Sequence, residues 1–203
     1  MSIPARSLVS RHADLTQRVI LDAAVGLLER APVNELSVRA VARHANISER
    51  TVFRYFATRD DLLDAVANEV SRRLDLPPHP SSVEELLAYP EAAYARFEAT
   101  VALTKAALHS ELYHRIRSAD ADRRGAAIRA LIDRAAPTRS EHERKLAAAN
   151  IRYYLIASTW HYYRFYFGLS LEDSVECARL AIAQALQGLG VRGSNRPRTA
   201  RPR

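Results

Sequence analysis

The chain has 203 residues, 30 basic and 23 acidic, for a formal net charge of +7, and 48% of its residues are hydrophobic. Only six residues are glycine and no stretch alternates apolar and polar residues for long, so an all-α fold is expected and a β fold is not. No run approaches the ~18 apolar residues of a bilayer span, one cysteine rules out an internal disulfide framework, and MSIPARSLVSRHADL lacks the apolar core of a signal peptide, so a cytoplasmic protein is expected.

Residues 1–13 read as a flexible arm. An amphipathic helix follows from about Asp14 to Arg30, with Val19, Ile20, Ala23, Ala24, Leu27 and Leu28 on its inner side. Pro32 requires a helix end made without positive φ. The stretch SVRAVARHANISERTVFRYF, residues 37–56, then predicts two short helices joined by a tight turn. Ser37 and Ser48 are placed to cap them by accepting from free amides. Val38, Val41, Ala42 and Ala45 form an apolar stripe on the first helix, and Ile47, Val52, Phe53 and Phe56 supply apolar groups to face it. Small Ala42 permits close approach, and Asn46 tolerates the positive φ a tight turn needs. Ser48, Glu49, Arg50, Thr51, Arg54 and Tyr55 remain as a dense polar set on a helix short enough to enter a major groove. The next helix starts at Thr58, with Asp61 as capping-box partner and Asp60 and Asp61 at its positive end.

These residues carry a resemblance. The pieces TQRVILDAA at Thr16–Ala24, SVRAVA at Ser37–Ala42 and ISERTVFRYFATRDDL at Ile47–Leu62 are similar, in order and spacing, to the DNA-binding domain of the TetR/AcrR family. Three departures are visible: Pro32 and Asn46 stand where the family usually has Gly, and Phe53 where it usually has Tyr. The resemblance implies a three-helix helix-turn-helix domain over residues 14–75, followed by a helical effector-binding and dimerisation domain over 76–190. It implies double-stranded operator DNA, a small-molecule effector and a second copy of the chain as partners. Arg50 and Thr51 are expected near base edges, with Arg54 there or on phosphate. Ser48, Tyr55, Arg59, Thr16, Ser37 and Arg39 are candidate phosphate contacts.

In the second domain, LPPHPSS (76–82) forms the joint. Helices are expected over 83–88, 90–107, 108–118, 121–135, 141–167 and 171–188, with breaks at Pro90, Ser118–Asp120, Pro137 and Gly168. Ser140 with Glu143, and Ser170 with Asp173, are capping-box signatures. Residues 151–167, IRYYLIASTWHYYRFYF, show two apolar stripes: Ile151, Leu155, Ser158, Tyr162 and Phe165, and Tyr153, Ile156, Trp160, Tyr163 and Phe167. A surface helix needs one. The second stripe fits either a fully buried central helix or contacts to another copy. By the family's pattern of pairing its last two helices across a two-fold axis, Tyr162, Phe165, Ala178, Ala181, Ile182 and Ala185 are dimer-interface candidates. A family-type pocket would draw its lining from Tyr94, Phe97, Tyr113, Tyr153, Trp160 and Tyr163, which suit a largely apolar or aromatic ligand but serve equally as core. The segment near 108–118 is the expected transmitter between pocket and DNA-binding domain.

Residues 191–203, VRGSNRPRTARPR, hold five Arg and no acid, and read as a disordered basic tail able to add nonspecific phosphate contacts. No catalytic, cofactor or metal set emerges. His142-Glu143 lacks the second zinc-protease His, since Leu146 stands in its place, and His109 and His114 fall on different helix faces. Cys177 reads as a small core residue. The function expected is a one-component transcriptional regulator, most simply a repressor, rather than an enzyme. The alternatives are a DNA-binding regulator without a physiological ligand and a helical enzyme or carrier that retains the N-terminal fold.

Overall fold

The computed structural model describes residues 8–30, 36–109 and 112–191, and the described residues contain no strand. Helix α1 spans Leu8–Arg30, α2 Val38–His44, α3 Glu49–Tyr55 and α4 Arg59–Leu74. Helix α5 spans Val83–Ala99, α6 Val101–Leu108, α7 Leu112–Ala135 and α8 Glu141–Tyr153. Helix α9, Ala157–His161, runs on into a π-helical turn at Tyr162–Tyr166, and α10 spans Leu171–Gly188. The chain groups into two compact units. The first comprises the described residues up to Asp75 together with Thr100–Ala119, and the second comprises Leu76–Ala99 and the described residues from Asp120 onward. The division is therefore not a single cut near residue 76: α6 and the start of α7 group with the N-terminal helices.

In the first unit, α1 packs on α2, α4 and α6, and α2 packs on α3. Ile20, Ala24, Val25 and Leu28 of α1, Leu62, Leu63, Val66 and Val70 of α4, and Leu103 and Ala107 of α6 are buried. The α1 stripe is centred slightly later in the helix than the sequence pattern suggests, so Val19 is exposed and Val25 is buried. The helix itself begins at Leu8, which shortens the arm expected over residues 1–13. Pro32 and residues 192–203 of the basic tail lie outside the described residues. Arg73 of α4 is held by Glu69 and also bonds Asp22 of α1, tying the two helices together across their polar edges.

In the second unit, Leu86, Ile128, Leu131, Ile132, Ile151, Ile182 and Leu186 form one buried cluster, with α10 packed on α5 and α8. Two expected breaks are absent. Pro90 sits buried inside a continuous α5. A proline costs its own amide bond to the residue four before, and here burial of Leu86, Tyr89, Ala93, Tyr94 and Phe97 along the same helix outweighs that local loss. Likewise α7 runs unbroken through Ser118–Asp120. The helix expected over 141–167 is instead interrupted. Ile156 is extended (φ −106°, ψ 157°), and the carbonyls freed by the break find hydroxyl donors: Tyr94 Oη donates to Tyr154 O at 2.8 Å, and Thr159 Oγ1 donates to Tyr153 O. The break changes the helical phase, so the two predicted stripes do not persist. Trp160 is fully buried, while Tyr153, Tyr162, Phe165, Tyr166 and Phe167 are exposed.

The Glu69 carboxyl sits between two guanidiniums. Arg72 above all, and Arg73, hold it down to about 2 from its ordinary 4.5. A depressed folded-state pKa contributes stability that is present above pH ~4.5 and is lost as pH falls toward 2. Glu69→Gln should therefore destabilise the protein at pH 6, and the gap to wild type should narrow by pH 3, read by urea denaturation at both values.

Candidate nucleic-acid interface

Helices α2 and α3 present the site, and their geometry is set by the turn between them. Asn46 has φ 54°. With that left-handed residue in place, Ile47 N donates to Ala42 O at 3.0 Å and Asn46 N donates to Arg43 O at 3.2 Å. Those two bonds close the end of α2 as a Schellman motif. The next residue, Ser48, caps α3: Oγ accepts from Thr51 N at 3.1 Å. Ser37 does the same for α2 through Ala40 N, 3.1 Å. Val41 and Ala42 of α2 and Val52 and Phe56 around α3 are buried, which fixes α3 against α2 by its inner side. The capping box at Thr58 and Asp61 starts α4 immediately afterwards: Asp61 N donates to Thr58 Oγ1 and Thr58 N to Asp61 Oδ2.

The outward face of α3 is then Glu49, Arg50, Phe53 and Arg54, all exposed and spaced as neighbours on a 3.6-residue period. Arg50 and Arg54 therefore lie where the sequence expects donors. Arg54 stacks its guanidinium on the Tyr55 ring, 5.2 Å from the centroid. The Thr16 side chain of α1 hydrogen-bonds the Tyr55 phenol and, with Arg54, lowers its pKa. Thr16, Arg54 and Tyr55 are thus one connected group at the flank of α3. Thr51 is half-buried, and its hydroxyl is shared with Ser48 Oγ, the cap of α3, at 2.8 Å. Ser37 and Arg39 are exposed at the start of α2, and Arg59 donates to Leu36 O at 3.4 Å, bringing its guanidinium beside Ser37.

Phe53 and Glu49 are the members of this face that the sequence reading did not assign to DNA. Phe53 was expected to face α2, as an apolar residue in an apolar set, yet it is 44% exposed. The helical period could have found it, since residues 49, 50, 53 and 54 share one side once Val52 and Phe56 are taken as the inner anchors.

The candidate ligand residues divide between the units. Tyr94, Phe97 and Trp160 form a buried chain of rings, with centroids 6.2 Å apart for Tyr94–Phe97 and 5.7 Å for Phe97–Trp160. Burial pushes the Tyr94 phenol far up. Beside them, Glu98 accepts from Trp160 Nε1 at 3.1 Å and from Arg164 Nη2 at 2.6 Å, an ion pair that sequence distance concealed. Tyr163 is half-buried and its phenol is also raised by burial, whereas Tyr153 is exposed. Tyr113 belongs to the first unit.

Among the dimer candidates, Ala178 and Ile182 are fully buried in the chain's own core, so they are not available to a partner. The reason is that this stripe of α10 packs on α5. Ala181 and Ala185 are half-buried, and Tyr162 and Phe165 are exposed. Leu146 of α8 and Leu180 of α10 are exposed apolar residues the sequence reading passed over. No group of three or more His, Cys, Asp or Glu side chains able to hold a metal occurs among the described residues. No described helix is long and apolar enough to cross a membrane.

Arg50→Ala should cost about 1–3 kcal/mol on a preferred duplex and relax discrimination there, as expected for loss of a base contact. Arg59→Ala should weaken preferred and random duplexes alike and lower the slope of log K against log salt by about one unit. Fluorescence anisotropy titrations over a salt series on both duplexes read the two outcomes.

The profile described as "Bacterial regulatory proteins, tetR family" matches residues 20–66. Solved structures share the fold at low identity. A tetR-family transcriptional regulator from Streptomyces coelicolor aligns with a TM-score of 0.62 at 15% identity, covering 87% of this chain and 82% of its own. A TetR-like transcriptional regulator from Rhodococcus sp. RHA1 gives 0.58 at 18%, covering 86% and 96%. NalD, the secondary repressor of the MexAB-OprM multidrug efflux pump in Pseudomonas aeruginosa, gives 0.54 at 16%, covering 89% and 96%. No curated protein matches the chain. Over residues 20–66 the chain is similar to the tetR family of bacterial regulatory proteins, and beyond them its likeness to the solved structures is one of fold.

Proposed function

We propose that the protein is a transcriptional regulator that binds a near-palindromic operator as a two-fold dimer and releases it when a small, largely apolar or aromatic effector binds its second unit. The observation that carries the reading is the outward face of α3, where Arg50 and Arg54 stand exposed on a short helix capped at Ser48. Ser37, Arg39 and Arg59 surround it as phosphate contacts, and Ser48, Tyr55 and Thr16 fix its flank. A repressor is the simplest mode, because occupancy of an operator needs no further contact to block transcription. NalD, a repressor by name, shares the fold.

Dimerisation is supported by apolar side chains left outside the core: Leu146 and Tyr153 on α8, Leu180 on α10, and Tyr162 and Phe165 in the π-turn. A two-fold pair would present two copies of α3 to half-sites about one helical turn apart or more. Effector response is supported by the aromatic group Tyr94, Phe97 and Trp160, with Tyr163, in the second unit. The connectivity suggests the route. The chain leaves the second unit at Ala99, and α7 returns to it from the first. On that inserted segment Arg115 donates to Asp64 at 2.5 Å and Asp60 at 2.6 Å, both on the first turns of α4. An effector acts only through unequal affinity for the two DNA-binding states, so operator must lower effector affinity by the same factor.

Leu180→Asp should shift the protein toward monomer in sedimentation velocity, because a two-fold interface would bring two carboxylates together. It should also reduce binding to a duplex with two half-sites far more than binding to one half-site. A wild type that stays monomeric at micromolar concentration contradicts the dimer. Arg115→Ala should change affinity for the preferred duplex while leaving the salt slope unaltered, since the residue bonds α4 rather than phosphate.

A further inference from the structure

The geometry points to Phe53 as a specificity residue that reads a thymine methyl in the major groove. This inference rests on the DNA-reading role of α3 and goes beyond it by assigning one base and the contact that selects it. The ring is 44% exposed, whereas its neighbours on the same helix and cap, Val52 and Phe56, are almost fully buried. The first unit's core is therefore complete without it. Its neighbours one turn back are Glu49 and Arg50, both exposed, and the next residue is Arg54. Arg54 is drawn aside onto the Tyr55 ring, which in turn bonds Thr16. That arrangement leaves the Phe53 ring uncovered between an anion and a cation.

The occupant follows from charge and shape. Exposed positions from α2 to the first turn of α4 carry Arg39, Arg43, Arg50, Arg54 and Arg59 against Glu49, Asp60 and Asp61, a basic excess that attracts a polyanion. An apolar partner would leave those guanidiniums desolvated without acceptors. The major groove offers phosphate and base acceptors along with one apolar group, the thymine C5 methyl, and a Phe side chain is among the contacts that groove selects for. Phe53 has no hydroxyl with which to meet a phosphate, so the ring's only gain on DNA is apolar burial.

The test starts from a randomised duplex pool, from which wild type and Phe53→Ala each select preferred sequences. Wild type should fix a thymine at one position per half-site, and Phe53→Ala should relax that position while retaining the base preference that Arg50→Ala relaxes. The wild-type duplex is then remade with deoxyuridine at that thymine, removing only the methyl. Burial of one methyl corresponds to roughly a fourfold change in affinity, so wild type should bind the uracil duplex about fourfold more weakly per half-site. Phe53→Ala should bind both duplexes equally, with circular dichroism confirming its fold, and Phe53→Tyr should keep the methyl preference. Equal binding of thymine and uracil duplexes by wild type overturns the inference while leaving the DNA-reading role intact. Recovery of no preferred sequence by wild type overturns both.

Discussion

A single left-handed residue, Asn46, sets the direction in which α3 leaves α2, and the placement of the exposed face of α3 depends on that direction. Without φ near 54° there, Ile47 N could not reach Ala42 O, and the end of α2 would leave its carbonyls to water. For most side chains that conformation costs about 1–2 kcal/mol; Asn, whose short amide can bond locally, adopts it more readily. Once the turn is made, Ser48 is positioned to cap α3, and Val52 and Phe56 reach the core. The exposed quartet Glu49, Arg50, Phe53 and Arg54 is what remains on the far side. Side-chain placement on α3 is thus a consequence of backbone geometry fixed outside it.

The same economy of polar groups governs the second unit. Breaking the helix after Tyr153 releases carbonyls in a partly buried setting, and the break is tolerable because Tyr94 and Thr159 supply hydroxyls. Glu98 would be costly beside Trp160 and Phe97 if it were alone, but it receives bonds from the indole and from Arg164. A buried aromatic group edged by a satisfied ion pair is a chemically mixed environment.

What could be read from the sequence was local. Ser37, Ser48, Thr58 with Asp61, and Ser140 with Glu143 all cap as their spacing implies, because a cap and its amide lie within one turn. Asn46 was legible for the same reason, and so were Arg50 and Arg54 on the outward side of α3. What escaped depended on distant partners. The continuity of α5 through Pro90 is decided by what the helix packs on, not by the proline. The interruption at Ile156 needs Tyr94, 62 residues earlier by number, and the pairs Arg115–Asp64 and Arg164–Glu98 join positions more than fifty residues apart. Phe53 was misplaced because hydrophobicity was taken to mean burial, whereas the period of the helix puts it outside. Thr51, expected near base edges, also shares its hydroxyl with Ser48.

The central claim is that the outward face of α3 enters the major groove, and methylation interference tests it most directly. A duplex preferred by the protein would be sparsely methylated at guanine N7, which lies in the major groove, and at adenine N3, which lies in the minor groove. The bound and free fractions would then be compared base by base. The account predicts that N7 methylation blocks binding in two clusters related by the duplex's two-fold symmetry, with N3 methylation tolerated between them. Binding indifferent to N7 methylation, or blocked only by minor-groove methyl groups, would contradict it.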